Sequence, residues 1–187
     1  MCLFSGEGPK TVFDVIRTRR SVRAYKHDGI ERSAVMTLLQ AATLAPTAMH
    51  EEPWEFVVIQ DRNLLKRISD LAKPLFIESL HPVPDAFRHS DFDIFHGAGT
   101  LIVICARPNG PFVEADCWLA AENLMLAACA SGLGTCVIGS SVAAISEMRK
   151  EIGIPSDYEV IAPIVVGVPA GETDASPRKE PSVLAWL

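Results

Sequence analysis

The chain has 187 residues, 49% of them apolar and 21% charged, which suits one domain with a substantial core and excludes a disordered polymer. Its 17 basic and 23 acidic residues leave a formal charge of −6, which argues against binding nucleic acid or an anionic membrane in bulk. Any local basic cluster therefore needs a local reason.

Residues 11–19 place Val12, Val15 and Ile16 at helical spacing, with Thr11 as N-cap. The stretch RTRRSVRAYK (17–26) follows, five cations in ten residues. A second helix is predicted over 31–44, with Val35, Leu38, Leu39 and Ala42 on one face and Pro46 as its stop. The loop APTAMHEEP leads into WEFVVIQ (54–60), a buried strand rich in β-branched and aromatic residues. Asp61 caps a helix over 62–72.

The stretch 74–97 reads as an irregular, lid-like excursion with Pro74, Pro82, Pro84 and several aromatics, among them Phe87, Phe92 and Phe95, together with His81 and His89. Excursions of that length are more often functional than decorative. TLIVICA (100–106) is a second buried strand. Residues 114–134 form a helix apolar on nearly every face, ended by Gly132, which places it in a core or a subunit interface. TCVIG (135–139) is strand-like, Ser141 caps a helix to about Ile152, and 158–168 is the last strand. The remaining segment, about 172–187, is polar but finishes on Leu184-Ala185-Trp186-Leu187, an apolar end that needs a surface to cover it.

Strands separated unevenly by helices predict a single domain over 1–187, an α+β sandwich. GLGTCVIG follows a helix and opens a strand, the reverse of a dinucleotide-binding glycine loop. The five cysteines, Cys2, Cys105, Cys117, Cys129 and Cys136, are odd in number, lack CxxC spacing and mostly lie in apolar runs. They read as free thiols in a reducing compartment. No signal-like segment and no membrane-length apolar run is visible, so the expected location is cytoplasmic.

Two stretches carry candidate chemistry. Arg19, Arg20 and Arg23 are either a solvated helix end that complements the helix dipole or, with the Ser21 hydroxyl among them, a guanidinium set suited to phosphate oxygens. Arg178-Lys179 supplies a second basic point. The loop with Thr47, His50, Glu51 and Glu52 lies between two rigid elements, where ligand-contacting groups are often presented. Taken alone, His50 is more often structural, and Trp54 reads as core.

The succession RRSVRAY, AA..AP…..PW.FVVI, GLGTCVIG and a late P.R resembles the FMN-dependent nitroreductase family, over about residues 12–180. The resemblance implies a homodimer of α+β subunits with a mixed, mostly antiparallel sheet flanked by helices. FMN would lie at the dimer interface, and the C-terminal segment would reach across to the partner. It implies that Arg19, Arg20 and Ser21 hold the phosphate and ribityl chain, that Arg178 completes the phosphate site, and that Arg23 faces the pyrimidine end of the flavin. Thr47 and His50 would touch the isoalloxazine of the other subunit's site, and Ile138, Gly139 and Ser140 would back the ring near N5.

The implied activity is hydride transfer from NADH or NADPH through flavin N5 to a nitroaromatic, quinone or similar acceptor, by a ping-pong mechanism. No side chain is assigned as an obligatory acid or base, because solvent can supply protons to an open site. Many relatives carry Asn and Gln where this chain has His50 and Glu52. An ionised glutamate only accepts hydrogen bonds, so the departure bears on the ring contacts. Alternatives are a flavin dehydrogenase or dehalogenase of the same fold and a non-catalytic FMN-binding protein. Nucleic-acid binding through RTRRSVR is opposed by the net charge.

Overall fold

The computed structural model describes residues 11–79, 84–89 and 91–187; Cys2, His81 and Pro82 therefore lie outside the described residues. The elements in order are α1 (Val12–Thr18), α2 (Arg32–Ala42), β1 (Trp54–Ile59), α3 (Arg62–Ser79), β2 (Thr100–Ala106), α4 (Val113–Ala130), β3 (Gly134–Val137), α5 (Val142–Glu147) and β4 (Glu159–Gly167). The four strands form one sheet in the order β1-β2-β4-β3, every neighbouring pair antiparallel. Among the described residues, parallel pairing enters only through a bridge between Ser21 and Thr135 at the β3 edge.

Helices cover both faces of this sheet, which explains why TLIVICA shows no polar alternation. Ile102, Ile104 and Ala106 of β2 face the core shared with α2 and α4. Leu101, Val103 and Cys105 point the other way, to the core of α3 and α5. Each fully buried Leu or Ile contributes about 1.5–3 kcal/mol relative to exposure, so β2 is the axis of the fold.

Local chemistry sets the helix ends. Thr11 Oγ1 accepts from the Asp14 amide at 3.2 Å while the Asp14 carboxylate accepts from the Thr11 amide at 3.1 Å, a reciprocal cap. α4 stops at Gly132, whose φ is +75°. Gly132 N–H donates to Cys129 O and Leu133 N–H to Ala128 O, the paired bonds of a glycine-closed helix end. The chain thereby turns directly into β3. Among the described residues, no helix is long and apolar enough to cross a membrane.

Two helix boundaries depart from the sequence reading. α3 does not end near residue 72 but runs through Pro74 to Ser79. An internal proline costs about 3 kcal/mol, yet Leu65, Ile68 and Ala72 are buried and Leu75 packs in line with them. Burial of that face outweighs the lost backbone bond. Ser141 does not cap α5 with its side chain: the buried hydroxyl donates to Ile138 O at 2.7 Å. α5 is one and a half turns long, and turns replace the expected helix up to Ile152.

Candidate functional site

The basic stretch leaves α1 and becomes a ribbon along the sheet edge. Val22 N–H donates to Thr135 O at 2.9 Å, Lys26 N–H to Val168 O at 2.8 Å, and Ala170 N–H to Ala24 O at 2.9 Å. Val22 and Tyr25 turn inward and are buried, while Arg23 turns outward. Two glycines, paired across β3 and β4, make room for the inward side chains. A Cβ on Gly134 would lie 2.7 Å from Val22 Cγ2 and 2.9 Å from its Cβ, and one on Gly167 would lie 2.9 Å from Tyr25 Cδ1. The ribbon seats because those two positions have no side chain.

Two hollows open beside this ribbon, and β3 is common to both. Arg19, Arg20, Gly134 and Thr135 help to line the first, of about 210 Å³. The second, of about 650 Å³, is bounded by Arg23, Cys136, Ile138, Gly139, Ser140, His96 and the rings of Phe76, Phe87 and Phe92. That volume falls among small-molecule sites, which run to about 300–1,000 Å³.

The two hollows differ in chemistry. At the first, Arg20 Nη1 donates to the carbonyls of Arg17 (2.6 Å) and Arg19 (2.8 Å), closing the carbonyl end of α1. Arg19 Nε stands 3.5 Å from Glu122 Oε1. Each guanidinium has five N–H donors, so both keep capacity for an anion. The bonds that close the helix end thus leave donors on both guanidinium groups unspent. At the second hollow the wall is largely apolar, and Arg23 supplies the cation.

Ser141 pins the turn 138–140 through its bonds to Ile138 O. A Cβ on Gly139 would meet no heavy atom within 4 Å, so main chain there faces open space that a flat ring can approach. Phe76 and Phe87 pack at a tilt of 36° with centroids 4.9 Å apart, and Phe87 and Phe92 at 59° and 5.1 Å. Residues of the 74–97 excursion thus line the same hollow as the turn, while Phe95 is core.

His96 is a wall residue that the sequence reading passed over. It sits in the tight turn 93–97, where Asp93 accepts from the amides of Phe95 and Gly97, both at 2.9 Å. Its φ is +56°, and its ring meets Phe92 edge-on at 6.0 Å. Burial, and then the charge of Arg23, lower its pKa against the opposing pull of Asp93. Cys136, also on this wall, is a buried thiol raised by desolvation, with Arg23, Ser21 and Arg19 working in the opposite sense. The usable signal for His96 was the His-Gly pair closing the aromatic run.

Other expected residues lie elsewhere in the chain's own surface. Thr47 and His50 occupy the α2–β1 loop and line neither hollow. Thr47 Oγ1 accepts from the Glu52 amide at 3.3 Å, and His50 is exposed. Met49, His50 and Glu52 all have positive φ, 58°, 58° and 44°. Each such non-glycine residue costs about 1–3 kcal/mol and is often found at functional sites. Arg178 belongs to the exposed, irregular 172–187 segment, from which Thr173 alone lines the first hollow.

The pieces that one chain brings together are thus Arg19, Arg20, Ser21 and Arg23 on the ribbon with Ile138, Gly139 and Ser140 after β3. Residues 16–168 match the nitroreductase family. The chain is 32% identical over 167 residues to a protein of Archaeoglobus fulgidus provisionally named NADH dehydrogenase/NAD(P)H nitroreductase, covering 86% of each. It is 24% identical over 179 residues to an iodotyrosine deiodinase of Thermotoga neapolitana, covering 91% of this chain and 95% of that one. Its fold overlays the crystal structure of a Bacteroides fragilis nitroreductase with bound FMN at a TM-score of 0.82, with 23% identity, over 95% of this chain and 98% of that one. An edge ribbon of arginines, a glycine turn after β3 and a family match across both lead to one assignment: this chain belongs to the nitroreductase family of oxidoreductases.

Proposed function

We propose that the protein is an FMN-dependent oxidoreductase, working as a cytoplasmic homodimer with a flavin site at each end of the interface. Held at this site, FMN would supply the redox chemistry, by which hydride would pass from NADH or NADPH through N5 to a nitroaromatic, quinone or similar acceptor in a ping-pong cycle. The observation that carries this reading is the shared floor. β3 joins a small hollow with two guanidinium groups to a larger apolar one with a single cation, in the order that a phosphate and a ring system require.

On this reading Arg19, Arg20 and Ser21 hold the phosphate end, and Arg178 reaches the same anion from the C-terminal segment. Arg23 offsets negative charge at the pyrimidine end, where reduction would concentrate it. Ile138, Gly139 and Ser140 back one ring face with main chain. Phe76, Phe87 and Phe92 exclude water from the opposite side, and the excursion that carries them acts as the lid. Thr47 and His50 serve the partner's site.

Exposed apolar side chains support the dimer: Phe13 of α1 is 83% exposed and Trp186 of the tail 89%. Val12 and Ile16 of α1 and Leu184 of the tail are exposed as well, and apolar side chains of this size call for a covering surface.

A second reading, reductive dehalogenation of an aromatic substrate, is favoured by the similarity to the T. neapolitana deiodinase over nearly the whole chain together with the three-phenylalanine wall. Anaerobic visible spectroscopy separates the readings. A yellow protein bleached by NADH or NADPH, then recoloured by a nitroaromatic or quinone, supports the first. Recolouring by an iodophenol, but by neither of those acceptors, supports the second. A colourless protein that takes up no FMN overturns both.

A further inference from the structure

The 47–52 loop holds three non-glycine residues at positive φ within four positions, Met49, His50 and Glu52. Left-handed backbone at such residues persists only where the surroundings over-determine it. Within the loop the fastenings are modest: Glu51 N–H donates to Ala48 O at 3.2 Å, and Glu52 N–H to Thr47 Oγ1 at 3.3 Å. Thr47 Oγ1 also donates to Ala48 O at 3.3 Å, and a further fastening comes from a distant element. Asp116, in the first turn of α4, accepts the Ala48 amide on Oδ2 at 3.0 Å, across 68 residues of chain.

Asp116 is 6% exposed, and the other buried polar residues among those described are uncharged serines and threonines. A buried carboxylate is costly to desolvate unless it is hydrogen-bonded, and removing it would leave the partner amide without its acceptor. Here that bond fixes the first amide of the turn carrying Met49 and His50. The side of α4 that carries Val113, Cys117, Ala120 and Leu124 is buried in the core shared with α2 and the sheet, so Asp116 stands on an anchored helix.

We propose that Asp116 is a positioning residue of the redox site: it holds the 47–52 loop in its left-handed form and so sets Thr47 and His50 for the partner subunit's flavin. The proposal rests on the FMN-dependent dimer reading given above. Asp116 touches no cofactor or substrate itself. Its effect runs through the Ala48 amide.

The test uses the full-length protein and two readouts, FMN binding by fluorescence titration and amide exchange by mass spectrometry on peptides spanning 45–53 and 100–106. In Asp116→Ala, exchange in 45–53 rises about tenfold or more and the FMN dissociation constant rises about tenfold, the scale of a lost bond to a charged group. Exchange in 100–106 stays at the wild-type rate. Asp116→Asn, which keeps an acceptor oxygen, shows a smaller change in both. Met49→Gly added to Asp116→Ala recovers about fivefold of the lost affinity, because glycine adopts a positive φ without penalty.

Unchanged exchange in 45–53 overturns the proposal. So does faster exchange there with unaltered FMN affinity, which would leave Asp116 a purely structural anchor. Should Asp116→Ala not fold, Asp116→Asn decides on the same two readouts. Wild-type protein that takes up no FMN overturns the functional reading beneath the proposal, and the exchange data then still report whether Asp116 holds the loop.

Discussion

Two segments that serve the site, the 19–26 ribbon and the 47–52 loop, are held by opposite means. The ribbon is fastened by main-chain bonds to β3 and to the residues after β4, over two positions where only glycine fits. The loop has no sheet to lean on. It takes a strained backbone and ties it to a buried carboxylate on another helix. The ribbon is therefore robust to changes in its exposed side chains and fragile to added volume beneath it. The loop depends instead on single polar bonds.

The largest effect follows from adding volume under the ribbon. Gly134→Ala places a methyl against Val22 Cβ, one bond from main chain on a side chain stiff at χ1, so the ribbon itself must shift. We expect a stability loss of about 1–3 kcal/mol, measured by urea denaturation, together with loss of FMN retention on gel filtration. Retained FMN with unchanged stability would show that the ribbon is not seated by the glycine.

Arg19→Ala, by contrast, leaves the seat intact. Its pair with Glu122 spans 3.5 Å and is partly exposed, a kind worth at most about 1 kcal/mol. FMN affinity should fall about tenfold to a hundredfold, the range for a charge-assisted bond, with the denaturation midpoint nearly unmoved. Equal losses in both would make Arg19 a structural residue and erase the distinction.

The smallest effect concerns His96. Its folded pKa lies below the ordinary 6.5, so the unfolded chain binds the proton more readily. Stability is then full above about pH 6.5 and declines as the pH falls through the folded value. Thermal melts between pH 7.5 and 5 should show this decline, and His96→Gln should flatten it. Glu151, Asp157 and Asp70, held low by Arg67, Arg107 and Lys66, act only below the ordinary carboxylate range of about 4. A melt profile that His96→Gln leaves unchanged above pH 5 would remove His96 from the account.

What the chain reveals before folding follows the same division. β2 is legible to the residue because burial on both faces requires a continuous apolar run. RRSVR is legible because its cations stand out in an acidic chain. Pro74 misleads, since a local rule for helix ends is outweighed by the buried face of Leu65, Ile68 and Ala72. Ser141 misleads because a hydroxyl that suits a helix cap is used to pin the turn at Ile138. Asp116 was hidden in a helix read as apolar on nearly every side, and its partner amide is 68 residues away. Its one signal was the charge itself, a lone aspartate flanked by Ala115 and Cys117.

The central claim is that the two hollows on β3 are one cofactor site. A crystal structure of the protein grown with FMN tests it most directly. The account predicts a phosphate within hydrogen-bond distance of Arg19 and Arg20, and a ring system lying against Ile138, Gly139 and Ser140 with Arg23 at its edge. FMN bound elsewhere, or a phosphate placed away from the ribbon, would contradict it.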